Sequence, residues 1–113
     1  LSPKPPRMND ILESLERTIR ERRKAEPDTS YVASLRAKGR AKMAEKLGEE
    51  AVEAVIAAVQ DDKAAMTGEA ADLLFHLMVL LADMDLSLED VTGELARREG
   101  LSGLEEKAAR GAN

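Results

Sequence analysis

Cysteine is absent from this chain of 113 residues. Neither a disulfide framework nor a thiolate metal site is available, and a cytoplasmic setting is the expectation. Tryptophan is also absent, and Tyr31 and Phe75 are the only members of the Phe/Tyr/Trp class. Base stacking needs aromatic platforms, so nucleic-acid binding of that kind is not expected. The net charge of −5 argues the same way, because an acidic surface repels a polyanion. No signal peptide is visible. The longest strongly apolar run, Leu73 to Ala82, is interrupted by His76 and is too short to span a bilayer, so no membrane partner is expected. No period-two alternation and no internal repeat stands out.

What remains is a sequence that suits packed helices. Apolar residues make up 43%, much of it Ala, Leu and Val, and the length is that of one domain. Residues 1–7 hold three of the four prolines and read as a disordered arm. The helical domain is expected over 8–100 and a polar tail over 101–113. Met8, Ile11, Leu12, Leu15 and Ile19 recur at helical spacing, with Asn9 and Asp10 offering N-caps. Asp28-Thr29-Ser30 is a turn, followed by a short helix over 31–38 and a break at Gly39. A long helix is expected over about 40–60, a third main helix over about 63–83, and a last one from the Ser87-Leu88-Glu89-Asp90 cap to near Gly100. Short connections make successive helices antiparallel neighbours, giving an all-α bundle of four or five helices. The third main helix is apolar on nearly every side between Leu73 and Ala82. Such a helix needs protein all round it, and a homodimer would supply the missing wall.

Five carboxylates stand out against this background. Glu49, Glu50 and Glu53 lie on the long helix within roughly 100° of arc, opposite Leu47, Val52, Val55, Ile56 and Val59. On the next helix Glu69, Asp72, His76 and Asp83 form one stripe. Glu50 with Glu53, and Glu69 with Asp72, are i,i+3 neighbours that point the same way. Antiparallel packing at about 8–10 Å would bring the two pairs together. Two carboxylates about 5 Å apart repel by roughly 3 kcal/mol at an effective dielectric near 20, a large share of a small domain's stability. Such a cluster binds a cation, protonates in part, or splays into water. An all-oxygen donor set selects Mg²⁺, with Mn²⁺ next, while one His and no Cys disfavour zinc. Lys42 and Lys46 share the arc, one and two turns upstream, and are candidates for phosphate contacts. The alternative for Lys46 is an i,i+4 pair with Glu50.

Glu-Glu-x-x-Glu at Glu49, Glu50 and Glu53, followed by Glu-x-x-Asp at Glu69 and Asp72, is similar to the signature of the MazG-like all-α nucleoside triphosphate pyrophosphohydrolases. The segments 30–35, 46–53, 69–77 and 98–103 narrow the likeness. Together they resemble the phosphoribosyl-ATP pyrophosphohydrolase family of histidine biosynthesis, over roughly residues 11–110. The resemblance implies hydrolysis of phosphoribosyl-ATP, a small nucleotide, to phosphoribosyl-AMP and pyrophosphate. It implies Glu50, Glu53, Glu69 and Asp72 as Mg²⁺ ligands, with Glu49 a further ligand or the base that orients water. Ser30 and Tyr31 are candidates for the substrate pocket, although Ser30 is equally an N-cap and Tyr31 a packing residue. Lys107 and Arg110 match the family's tail and are candidates for phosphate contacts. His76 reads as a hydrogen-bonded core or interface residue before a ligand. Some relatives are fused to the zinc-dependent cyclohydrolase of the next step; without cysteine, this chain is expected to stand alone.

Three rivals are distinguishable. A broader house-cleaning nucleoside triphosphate pyrophosphohydrolase would use the same carboxylates on another substrate. A ferritin-like di-metal protein needs Glu-x-x-His motifs, which the second cluster lacks. A helical interaction module would tolerate loss of the carboxylates.

Overall fold

The computed structural model describes residues 7–99. Five helices follow one another: α1 Met8–Arg22, α2 Tyr31–Lys38, α3 Arg40–Val59, α4 Lys63–Asp83 and α5 Leu88–Arg98. No strand occurs among the described residues, as the all-α reading expects. Residues 1–6 of the expected 1–7 arm, residue 100 and the 101–113 tail, with Lys107 and Arg110, lie outside the described residues.

Local chemistry sets most boundaries. Ser30 caps α2, its Oγ accepting from the Ala33 N–H at 3.3 Å. Asp62 caps α4, accepting from the Ala65 N–H at 3.0 Å. Ser87 and Asp90 form a reciprocal capping box at α5, with bonds of 3.1 and 2.8 Å. Each satisfies an N–H that has no partner within its helix. Gly39 ends α2 and starts α3 at φ 100°, a conformation that favours glycine. The start of α1 differs from expectation. Arg7, extended, precedes the first turn without a side-chain cap, and its carbonyl accepts from the Ile11 N–H at 3.1 Å. Asn9 and Asp10 therefore lie inside the helix, where Asp10 favours the positive end of the dipole.

The core is Ile19, Val32, Leu35, Met43, Met78 and Val79, with Leu12, Leu15, Phe75 and Leu80 packed against it. By length and composition α4 could cross a bilayer, which the shorter Leu73–Ala82 run conceals. Here it is the helix on which α1 and α3 pack. Its Met78 and Val79 are buried, but Leu74 is 45% exposed. The expectation that protein surrounds α4 is thus only partly met. A second departure lies on α3. Its buried residues are Met43, Ala54 and Ala57, while Val52, Val55, Ile56 and Val59 are 50–82% exposed. The larger apolar face of α3 points outward, because the smaller Ala residues let α3 lie close to α4.

Asp83 ties three helices. Its Oδ2 accepts from Arg40 Nε at 2.8 Å, and its Oδ1 from both Arg23 terminal nitrogens at 3.3 Å. An acid at a helix C-terminus opposes the dipole; the two guanidiniums offset that and hold its pKa below the usual carboxylate value, Arg40 contributing most. Asp83→Asn should lower unfolding stability by about 1–3 kcal/mol. Urea denaturation at neutral pH checks this as a shift in midpoint with little change in slope.

Candidate active site

α3 and α4 are antiparallel neighbours joined by the 60–62 turn. Glu53 precedes Asp61 by as many residues as Glu69 follows it, and Glu50 and Asp72 are likewise symmetric about it. Equal rise per residue then sets each pair at the same height. The outcome is convergence: oxygen atoms of Glu50, Glu69 and Asp72 lie within 4.8 Å of one another. Glu50 and Glu69 are partly buried, and Asp72 is exposed. One oxygen of Glu50 (Oε2) and one of Glu69 (Oε2) are enclosed and have no hydrogen-bond partner. Enclosed acceptors without a donor are uncommon and costly. None of these three, nor Glu53, forms an ion pair with a Lys or Arg among the described residues.

Glu69 carries the electrostatic cost. The facing carboxyl of Glu53, then that of Glu50, push its pKa up to about 7, with partial burial adding to the shift. Neither neighbour can donate to an ionised Glu69, so a proton on it turns repulsion into a hydrogen bond. Of the three outcomes open to such a cluster, splaying into water is not the one adopted by Glu50, Glu69 and Asp72. Glu69, its pKa raised by Glu53 and Glu50, is the member that takes up a proton most readily.

The remaining sequence candidates are placed as follows. Glu49 turns to Lys46, with 3.3 Å between Nζ and Oε2, which raises the Lys46 pKa. Lys46 thus pairs with Glu49 at i,i+3 and not with Glu50. Lys42 pairs with Glu45 at 3.1 Å. Ser30 is buried, with Oγ occupied by the Ala33 cap and a 3.5 Å bond to the Arg22 carbonyl. Tyr31 is 52% exposed and stacks on Phe75 at 6.1 Å, 20° between planes. It meets the edge of His76 at 5.9 Å. His76 is buried, as read from sequence, but its Nδ1 lacks a hydrogen-bond partner. Three clefts in the described surface are lined in part by α1, and none of the three includes the carboxylates. The cluster lies between α3 and α4, partly buried at Glu50 and Glu69 and exposed at Asp72. Sequence reasoning missed the arginines gathered near Asp83. Their signal was Arg40 directly after the Gly39 break and Arg20, Arg22 and Arg23 crowding the end of α1.

A helical bundle that sets Glu-Glu-x-x-Glu against Glu-x-x-Asp on adjacent antiparallel helices defines the class of all-α nucleoside triphosphate pyrophosphohydrolases. Within it, residues 12–99 match the phosphoribosyl-ATP pyrophosphohydrolase family, and the chain belongs to that family. It is 64% identical to a phosphoribosyl-ATP pyrophosphatase of Rhizorhabdus wittichii, over 91% of this chain and 97% of the relative. Identity to the protein of the same name from Erythrobacter litoralis is 61%, over 90% and 98%. For that of Novosphingobium aromaticivorans it is 58%, over 89% and 94%.

The raised pKa of Glu69 has a direction that can be tested. In metal-free buffer the folded protein keeps a proton that the unfolded chain releases near the ordinary value of 4.5. The stabilisation is fully present below about 4.5 and is lost as pH rises through about 7. Glu69→Gln removes that titration. Chemical denaturation in EDTA across pH 5 to 8 should show a smaller fall in stability for Glu69→Gln than for the unmodified chain.

Proposed function

We propose that the chain hydrolyses phosphoribosyl-ATP to phosphoribosyl-AMP and pyrophosphate, the second step of histidine biosynthesis, with Mg²⁺ held by Glu50, Glu69 and Asp72. The observation that carries this is the convergence of those three carboxylates within 4.8 Å, with enclosed, unpartnered oxygens on two of them, in a chain of that family. The donor chemistry fits: oxygens only, converging and uncompensated by any cationic side chain among the described residues, suit a hard divalent ion. Mn²⁺ would serve the same set.

Bound there, Mg²⁺ supplies neutralising charge for the triphosphate and a positioned water for attack at the α–β linkage. The protein's own groups supply the rest. Glu69 would hold the ion as an ionised carboxylate, giving up the proton it otherwise keeps. Glu53, which faces Glu69, completes the ligand set. Glu49 lies outside the three-residue cluster and is the residue left to orient the water and accept its proton. Lys42 and Lys46, now paired with Glu45 and Glu49, exchange those exposed partners for phosphate oxygens at small cost. Tyr31 presents a half-exposed ring braced on Phe75, a platform for the purine. Lys107 and Arg110 remain candidates for phosphate contacts from the tail.

The same reading includes a homodimer in a cytoplasmic setting. Val52, Val55, Ile56 and Val59 form an i, i+3, i+4, i+7 stripe on α3 that stays half or more exposed. A second copy burying that stripe removes it from water. Val55→Glu combined with Val59→Glu should convert a dimer to a monomer, read by sedimentation velocity.

Pyrophosphate release from phosphoribosyl-ATP tests the reaction. Turnover is expected with Mg²⁺, lost in EDTA and restored by Mg²⁺ or Mn²⁺. Asp72→Asn and Glu53→Gln should each lower turnover by about a hundredfold or more with the helical spectrum retained. Faster turnover of ordinary or damaged nucleoside triphosphates would favour the house-cleaning alternative.

A further inference from the structure

A basic cleft lies where the ends of α1 and α4 meet α2. It holds about 490 Å³ and is lined by Arg20, Arg23, Lys24 and Arg36, with Glu21, Asp83 and Asp85 as its acids. Cations outnumber acids there, in a chain of net charge −5. The two other clefts on α1 differ: one is dominated by Glu13, Glu16 and Glu89, and the other has Asp10 as its only charged residue.

The guanidiniums are held in place. Arg20 donates to the Leu86 carbonyl at 3.1 Å, Arg36 to the Arg23 carbonyl at 3.0 Å, and Arg23 to Asp83. Each uses only part of a five-donor fork, so donors remain for an oxyanion. The Lys24 ammonium has no side-chain partner among the described residues. Pre-positioned arginines with spare donors, and a free ammonium, suit a phosphate monoester.

Position relates the cleft to the carboxylates. Asp72 and Asp83 are both on α4; their separation returns to nearly the same helix face about 16 Å along the axis. Val79 lies between them and is buried, so a ligand reaching both ends cannot lie along α4. It can pass over the first turn of α2. There Tyr31 is half exposed, and the neighbouring Ser30 bonds the Arg22 carbonyl next to Arg23 and Lys24. Phosphoribosyl-ATP has a matching order of groups: a triphosphate, a purine, and a phosphate monoester on a second ribose.

We propose that this cleft is the subsite for the phosphate monoester at the far end of the substrate, and that it distinguishes phosphoribosyl-ATP from ATP. The proposal rests on the reaction assigned above. Its test is calorimetric titration of the full chain with Mg²⁺, comparing phosphoribosyl-AMP, AMP and inorganic phosphate. The unmodified chain should bind phosphoribosyl-AMP more tightly than AMP. Lys24→Glu, at an unpartnered side chain, and Arg36→Gln should each shrink that advantage roughly tenfold or more. A thermal melt of each variant reports its fold, and Lys24→Glu should melt as the unmodified chain does. Equal weakening of both ligands, or of neither, in Lys24→Glu would overturn the proposal. So would phosphate binding that depends on Lys24 yet does not compete with phosphoribosyl-AMP, which would mark an independent anion site. Failure of the underlying reaction shows separately, as no pyrophosphate release from phosphoribosyl-ATP by the unmodified chain.

Discussion

Glu50, Glu69 and Asp72 repel one another, and α3 and α4 are packed so that they stay together. Their oxygens lie within 4.8 Å, and Glu53, then Glu50, push the Glu69 pKa up to about 7. Helix packing resists the repulsion. Ala54 and Ala57 give α3 a low-relief face toward α4, which permits close approach. The turn at 60–62, with the Asp62 cap, fixes the register that makes the two motifs meet. A shift of one residue on either helix would rotate a carboxylate by about 100° and break the convergence.

Holding the far ends of those helices is a separate task, performed by Asp83. It binds Arg23 beyond α1 and Arg40 at the first turn of α3. The acidic stripe of α4 is thus divided by environment. Glu69 and Asp72 face other carboxylates and stay uncompensated, while Asp83 faces arginines and is structural. Identical side-chain chemistry serves two purposes because the partners differ, which follows from which helix each turn of α4 meets.

Helix boundaries were largely legible because caps and breaks are local. Ser30, Gly39, Asp62 and Ser87 each act within a few residues of their own position. The carboxylate pairs were legible because i,i+3 spacing and a short turn leave few alternatives. The orientation of α3 was not. Its larger apolar side chains, Val52, Val55, Ile56 and Val59, face outward while alanines take the inward face, and that choice depends on the separation of two helices, which no local pattern encodes. The Asp83 staple and the arginine cleft were missed for a similar reason. They join residues far apart in sequence, and long-range pairing leaves no periodicity. The pairing of Lys46 with Glu49 in place of Glu50 is a rotamer choice between partners at i+3 and i+4.

The distribution of rings argues for what that stretch of surface does. The core is built from Ile, Leu, Met and Val, and the only Tyr and the only Phe lie against the only His. Tyr31, Phe75 and His76 meet within two turns of Asp72 on α4 and at the first turn of α2, and Phe75 also packs against the core. Tyr31 stays half in water while stacked on Phe75. On the function proposed above, that ring would be the one a purine meets.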